Sequence, residues 1–226
     1  MMTPRLLAYE LLVKAEKSKQ YSNIALDNAL EAGNMSDPDK RLASILFYGV
    51  IERRITLDYR IKQLSARPLG SIDTSVLCAL RLGLFQLIYL NRIPAHAAIN
   101  ETVDLCSKKS SGFVNAILRS HTRTQMSMPD RSDLIEYLSV THSICCEIIE
   151  RLVASYGESE TEEILRGFDR SPRTTLRVNT LRTDRDTLVS AIKDAIPTEN
   201  SPVGLYANGS VRQLYGFDEG LFFVQD

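Results

Sequence analysis

The chain has no tryptophan and only three histidines, His96, His121 and His142, too few and too scattered for a histidine-built metal site. Its four cysteines, Cys78, Cys106, Cys145 and Cys146, lack the paired spacing of zinc ligands. The first three stand among apolar helical neighbours, which reads as buried, reduced thiols rather than a disulfide framework. No apolar run approaches the roughly 20 residues that span a bilayer. Met1-Met2-Thr3-Pro4-Arg5 also lacks the apolar core of a signal peptide. These absences lead to the expectation of a soluble, cytoplasmic protein with no membrane partner. Nor is there a glycine-rich turn between a strand and a helix, the usual cradle for a nucleotide-like cofactor.

What is present is ample core-forming material. Hydrophobic residues make up 44% of the 226, enough for one large domain or two small ones. The net charge of −1 conceals an uneven distribution. Residues 1–126 hold 17 lysines and arginines against 11 aspartates and glutamates, whereas residues 127–226 hold 10 against 17. A basic half joined to an acidic half directs the first half towards a polyanion, with an inert basic surface as the plain alternative.

Apolar spacing and capping residues set out the elements. Thr3-Pro4 suits a helix start, because the hydroxyl caps free amides and proline fits the first turn; Leu7, Leu11, Leu12 and Ala15 then form a stripe. Ser22 is expected to cap a second helix, and Asp37-Pro38 to open a third that carries Leu42, Ile45, Leu46, Gly49 and Val50. Leu57, Ile61 and Leu64 mark a fourth, and Asp73 caps a long fifth that Pro94 closes. Residues 126–130 break the period as a linker. Helical spacing then resumes from Ile144 until Gly157, a C-terminal cap, and residues 160–168 form another short helix. Beyond Ser171-Pro172 the residue types turn strand-like at 174–179, and Leu188, Ile192 and Ile196 mark a helix between Asp184 and Pro197. Asn208-Gly209 predicts a hairpin turn between strands at 203–206 and 211–214. The chain closes on an apolar strand with no polar tail, which reads as a truncation. The expected fold is mainly α. It comprises an all-helical N-terminal domain over residues 1–126, a helical linker region over 127–170 and a small α+β domain over 171–226.

The most informative stretch is residues 80–119. Three apolar helical segments there carry Arg81, Gln86, Asn100, Glu101, Asn115 and Arg119 close to core-facing positions, so each polar group needs a partner. These segments are residues 80–87, 93–103 and 112–119. With them go Leu46-Phe47-Tyr48-Gly49-Val50, Arg67-Pro68-Leu69, Leu176-Arg177-Val178-Asn179 and the closing Val224-Gln225-Asp226. In that order they resemble the N-terminal part of the bacterial ribosomal RNA cytosine-C5 methyltransferases of the Sun or RsmB family, which opens with a NusB-like helical RNA-binding domain. The resemblance implies a parent enzyme that uses S-adenosyl-L-methionine and acts on 16S ribosomal RNA or a small-subunit assembly intermediate. It also implies a following Rossmann-like catalytic domain, which holds the cofactor loop and a cysteine in a Pro-Cys context that attacks C6 of cytosine. None of the four cysteines here follows a proline. No catalytic, cofactor-binding or metal-binding residue is therefore expected in this chain, and no bound S-adenosyl-L-methionine.

Candidate RNA contacts are basic. Arg119 and Arg123 lie one turn apart near the end of a helix expected over residues 113–122, where both can reach a phosphate backbone; the alternative for Arg119 is a pair with Glu101 inside the bundle. Lys108 and Lys109 stand in a polar loop beside Ser110 and Ser111, either offered to a phosphate with the next helix's amides or simply solvated. Arg53 and Arg54 can contact RNA or offset the dipole at the third helix's end. Arg5, near the first helix start, is a further basic candidate, and the resemblance strengthens it, because the arginine-containing first helix of NusB-like proteins faces RNA. In the acidic half Arg173 and Arg177 belong to a basic island over residues 166–185, and either hold RNA or pack on the absent catalytic domain. Asn100, Glu101 and Asn115 are read as a buried network that fixes helix packing, and His96 as a capping or packing residue. Three functions stay open: the RNA-recognition fragment of the methyltransferase, a NusB-type transcription antitermination factor, and a helical protein-interaction scaffold without salt-dependent RNA affinity.

Overall fold

In a computed structural model that describes residues 2–18, 23–32, 34–170 and 172–225, short polar side chains set several helix starts. The Thr3 hydroxyl accepts from the Leu6 amide at 3.1 Å ahead of α1 (Pro4–Ser18). Ser36 accepts from Asp39 at 3.4 Å ahead of α3 (Asp37–Glu52), and Asp73 from Ser75 at 2.9 Å ahead of α5 (Thr74–Tyr89). Asp133 does the same for α8 (Leu134–His142). Each cap satisfies an amide that has no partner within its helix. The expected Ser22 cap before α2 (Asn23–Ala32) lies outside the described residues. The remaining helices are α4 (Arg54–Leu64), α6 (Ala95–Val103), α7 (Lys108–Arg123), α9 (Cys146–Tyr156) and α10 (Glu158–Phe168).

The chain divides into two compact units, with the division between Arg166 and Gly167. At the centre of the helical unit lies α5, buried on every side from Cys78 to Gln86, as an all-round apolar helix must be. Helices α1, α3, α4, α6 and α7 pack on it. Gly83 permits the close approach of α6 and α7: a Cβ there would meet the Leu118 side chain of α7 at 2.6 Å and Thr102 of α6 at 3.2 Å. A satellite core of Leu138, Ile149 and Leu165 joins α8, α9 and α10. It is fastened to α4 by the Thr56 hydroxyl, which donates to the Val140 carbonyl at 2.6 Å. Among the described residues no helix is long and apolar enough to cross a membrane.

The second unit is a four-stranded antiparallel sheet of order β2-β3-β1-β4. Its strands are β1 (Thr175–Val178), β2 (Ile196–Pro197), β3 (Gly204–Tyr206) and β4 (Phe222–Val224), and α11 (Arg185–Ala191) covers one face. Leu176, Val178, Leu205 and Phe222 point to Leu188 and Ile192 and make the core. Because side chains alternate along a strand, Thr175, Arg177, Tyr206 and Phe223 line the opposite, open face.

Several expectations need correction. Helix α5 ends at Tyr89, and Pro94 opens α6 instead of closing α5. The lysine pair Lys108-Lys109 is the first turn of α7 rather than a loop, because the helix runs straight through Gly112. The helix after Asp184 stops at Ala191; Asp194 takes φ 59° and Ile196 enters β2. No hairpin follows Asn208-Gly209, since residues 211–213 form a 3-10 turn and β3 pairs with β1 and β2. The thiols also differ: Cys78 is buried, Cys106 and Cys146 are half-buried, and Cys145 is exposed.

Candidate nucleic-acid interface

Three arginines of the helical unit are turned inward. Arg81 on α5 makes a bidentate pair with Asp58 of α4, Nε to Oδ1 at 2.7 Å and Nη2 to Oδ2 at 2.8 Å, and its Nη1 reaches Glu16 of α1 at 2.8 Å. Arg60 on α4 donates its Nε to His121 Nδ1 and one Nη1 hydrogen to Gln63, both at 2.9 Å, and its Nη2 to the Thr124 carbonyl. It thereby anchors the residues that follow α7. Burial pulls the Arg60 guanidinium below its ordinary pKa. Arg5 donates its Nε to Gln86 and its Nη1 to Glu101, each at 2.6 Å, and only 11% of its side chain is exposed.

These contacts revise the polar groups in residues 80–119. Arg81 and Gln86 are buried as expected, with Gln86 donating to Thr102 Oγ1 at 3.2 Å. Glu101 is exposed and pairs with Arg5, not with Arg119. Asn100 is exposed, and Asn115 accepts from Arg119 Nε at 2.9 Å on the outside of α7. So Asn100, Glu101 and Asn115 form no buried network. His96 is exposed in the first turn of α6 and neither packs nor caps.

The outward basic residues gather on α7. At about 100° per residue, Val114, Ile117 and Leu118 define its buried side, and Lys108, Lys109, Arg119 and Arg123 fall within an arc of about 100° on the opposite side. All four are exposed. Between them the strip carries only Gly112 and Ala116, and α7 contains no carboxylate. From Lys108 to Arg123 the strip runs about 22 Å at 1.5 Å per residue. The lysines stand where the helix dipole disfavours cations, a cost of about 0.3–1 kcal/mol that a bound anion would reverse. Arg67 extends the strip: its guanidinium lies 5.0 Å from the Phe113 ring centre, beside the lysine end. Sequence reasoning passed over Arg67 as an RNA contact, although it stands in the Arg67-Pro68-Leu69 motif.

The other candidates are dispersed. Arg53 closes α3, 18% exposed, with its guanidinium 5.6 Å from the Tyr89 ring centre, and so fits the dipole-offsetting reading. Arg54 reaches Glu16 at 3.6 Å beside the Arg81 cluster. Arg173 and Arg177 belong to the sheet unit, both exposed; Arg173 lies 5.1 Å from the Tyr206 ring centre.

Among the described residues no group of three or more histidines, cysteines, aspartates or glutamates could hold a metal. The Cys78 thiol is pushed up to about 12 by burial, opposite to the direction a nucleophile needs. S-adenosyl-L-methionine finds no glycine-rich cradle where β1 leads to α11. The connection from β1 to α11 carries no glycine, and Asp184 already accepts from the Thr187 amide at 2.8 Å and from its hydroxyl at 2.8 Å.

The architecture defines a two-part class, a NusB-type helical unit joined to a small ferredoxin-like sheet unit. The chain belongs to the NusB family, whose model matches residues 2–123. Residues 148–209 match the ferredoxin-like domain of RsmF/B-like methyltransferases. The chain is 33% identical over 238 residues to a Synechocystis sp. protein named "Probable ribosomal RNA small subunit methyltransferase B", covering 100% of this chain and 53% of the relative. A Bacillus subtilis protein of the same name is 32% identical over 226 residues, covering 97% and 50%. The crystal structure of PH0851 matches all of this chain and 53% of its own with a TM-score of 0.65 at 17% identity, a likeness of fold alone. The chain spans about half the length of the curated relatives it matches.

Proposed function

We propose that this chain is the RNA-recognition part of an S-adenosyl-L-methionine-dependent 16S ribosomal RNA cytosine-C5 methyltransferase that works in the cytoplasm. Residues 1–126 form its RNA-binding domain, 127–170 a helical linker and 171–226 a small domain that leads to the catalytic one. The RNA partner is 16S ribosomal RNA or a small-subunit assembly intermediate, and the other partner is the catalytic domain itself, which supplies the cofactor site and the reacting cysteine. The chain alone transfers no methyl group. The observation that carries this reading is the carboxylate-free face of α7, with Lys108, Lys109, Arg119 and Arg123 on one side of the helix. Such a strip suits phosphates, which position a nucleic acid without reading its sequence. The match of residues 148–209 to a methyltransferase domain favours this reading over an antitermination factor.

The test is affinity for a 16S ribosomal RNA hairpin at about 50 and 200 mM salt. Each lost phosphate contact lowers the slope of log K against log salt by about 0.7–0.9. Replacing Lys108, Lys109, Arg119 and Arg123 together with alanine should therefore flatten the slope by about 3 while helicity is retained. An unmodified chain whose binding ignores salt is instead the interaction scaffold.

A further inference from the structure

The open face of the sheet carries groups of a different kind from those on α7. Phe223 is 59% exposed and stands directly across from Arg177, its register partner on the central strand β1. On the other side of β1, Tyr206 pairs with Thr175 and lies under the exposed guanidinium of Arg173. A solvent-facing sheet surface usually alternates to polar residues, so two aromatic rings flanking an arginine call for an occupant.

Two clefts open on either side of Arg177. One, of about 440 Å³, is bounded by Asn179, Phe223, Gln225 and the tip residue Leu181, which is 95% exposed. The other, of about 510 Å³, is bounded by Thr198, Asn200, Ser201 and Tyr206. Its wall exists because residue 204 is glycine. The loop over residues 198–203 folds back onto the sheet, and a Cβ at Gly204 would meet Thr198 Oγ1 at 2.3 Å. Among the described residues no carboxylate lines either cleft, whereas Gln225 borders both and Asn200 the second. Strand spacing puts Phe223 and Tyr206 about 12 Å apart, with Arg177 between them.

We infer that this face binds a single-stranded RNA segment. One unpaired base stacks on Phe223, a second stacks on the Arg173–Tyr206 pair, and the phosphodiester between them meets Arg177. The asparagine and glutamine amides reach the base edges. The site rests on the reading of the protein as an RNA binder, and it gives the sheet unit a role of its own. Helix α7 holds phosphates of a folded RNA, whereas the sheet holds a strand whose bases are free. Cations without carboxylates match a nucleic acid, and rings at this spacing match bases that have left a helix.

The experiment uses the full chain, an unstructured pyrimidine oligoribonucleotide and the 16S ribosomal RNA hairpin. Phe223→Ala and Tyr206→Ala should each weaken oligonucleotide binding by about 5- to 100-fold, the range for losing one base stack. Phe223→Tyr should retain binding. Arg177→Ala should lower the salt slope by about 0.7. Ultraviolet crosslinks of the oligonucleotide should map to β3 and β4. Oligonucleotide affinity unchanged by all three alanine variants, but lost when the α7 strip is neutralised, overturns this site and leaves the proposed function standing. Failure of the unmodified chain to bind either RNA overturns both. Self-association that Phe223→Ala abolishes, with no crosslink to the sheet, makes the face a contact between copies and also overturns the site.

Discussion

Three arginines of the helical unit and two of the sheet unit stand in opposite settings. In the helical unit Arg5, Arg60 and Arg81 are turned inward, and their donors are taken by carboxylates, amides, an imidazole and backbone carbonyls from other elements. In the sheet unit Arg173 and Arg177 stand outside, one over a ring and the other between two clefts. A buried guanidinium is tolerated only when its donors are met, and once met it fixes the elements that supply the acceptors. An exposed one keeps its donors for a ligand. The basic excess of residues 1–126 is therefore a poor measure of RNA-binding surface, because part of it is internal fastening.

The largest test of this contrast is Arg81→Met. Arg81 is 7% exposed, and its loss leaves Asp58 facing the apolar stem of the substituted methionine and Glu16 with the longer 3.6 Å contact to Arg54. Removing one partner of a buried pair costs about 3–5 kcal/mol, because the remaining charge is uncompensated. Urea unfolding followed by helical circular dichroism should show a loss of that order. A loss below about 1 kcal/mol, the surface-pair range, would show that water already serves the carboxylates.

How far sequence led can be judged from the same residues. Several helices that begin on a capping side chain were legible, since Thr3, Asp73 and Asp184 act within three residues of themselves, whereas α8, capped by Asp133, was not marked. The partner of Arg5 was not, because Glu101 is 96 residues away and the pairing depends on how α1 meets α6. Nor was the length of the α7 strip. Ser110-Ser111-Gly112 has the composition of a loop, yet the packing of Val114, Ile117 and Leu118 holds a helix through it. The hairpin at Asn208-Gly209 failed for a related reason: a turn signal fixes a bend, while tertiary pairing chose β1 as the neighbour of β3.

The sheet unit should break at a different kind of residue. Leu176 is wholly buried on the central strand and meets the α11 side of the sheet. Leu176→Ala should cost about 2–4 kcal/mol, within the range for large-to-small core changes. Amide exchange of Val178 and Leu205 would register this loss by local unfolding of the strands. If their protection is unchanged, the small core has relaxed around the cavity.

A smaller effect separates the two settings by pH. His121 accepts from Arg60 through Nδ1, so its imidazole is neutral with the proton on Nε2. Burial, and then the adjacent guanidinium, hold its pKa below the ordinary 6.5. The unfolded chain takes up this proton at the ordinary value and the folded one only at lower pH. The stability that depends on neutral His121 is thus complete above 6.5 and declines as pH falls from there towards the folded value. His121→Gln keeps an acceptor that does not titrate, and should remove this part of the acid dependence in urea midpoints. A variant as acid-sensitive as the original would assign the effect to another group.

The smallest expected change is the mirror image of the first. Arg177→Ala removes the same side-chain type as the Arg81 substitution, but Arg177 is exposed and has no carboxylate partner among the described residues. Its backbone keeps the register with Gly204 and Phe223, and Leu176 and Val178 on either side keep the core. Unfolding free energy should stay within about 0.5 kcal/mol of the original, as for a surface residue outside any network. Destabilisation of about 2 kcal/mol or more, the scale of a broken internal contact, would place Arg177 among the fastening arginines and erase the distinction between the two units.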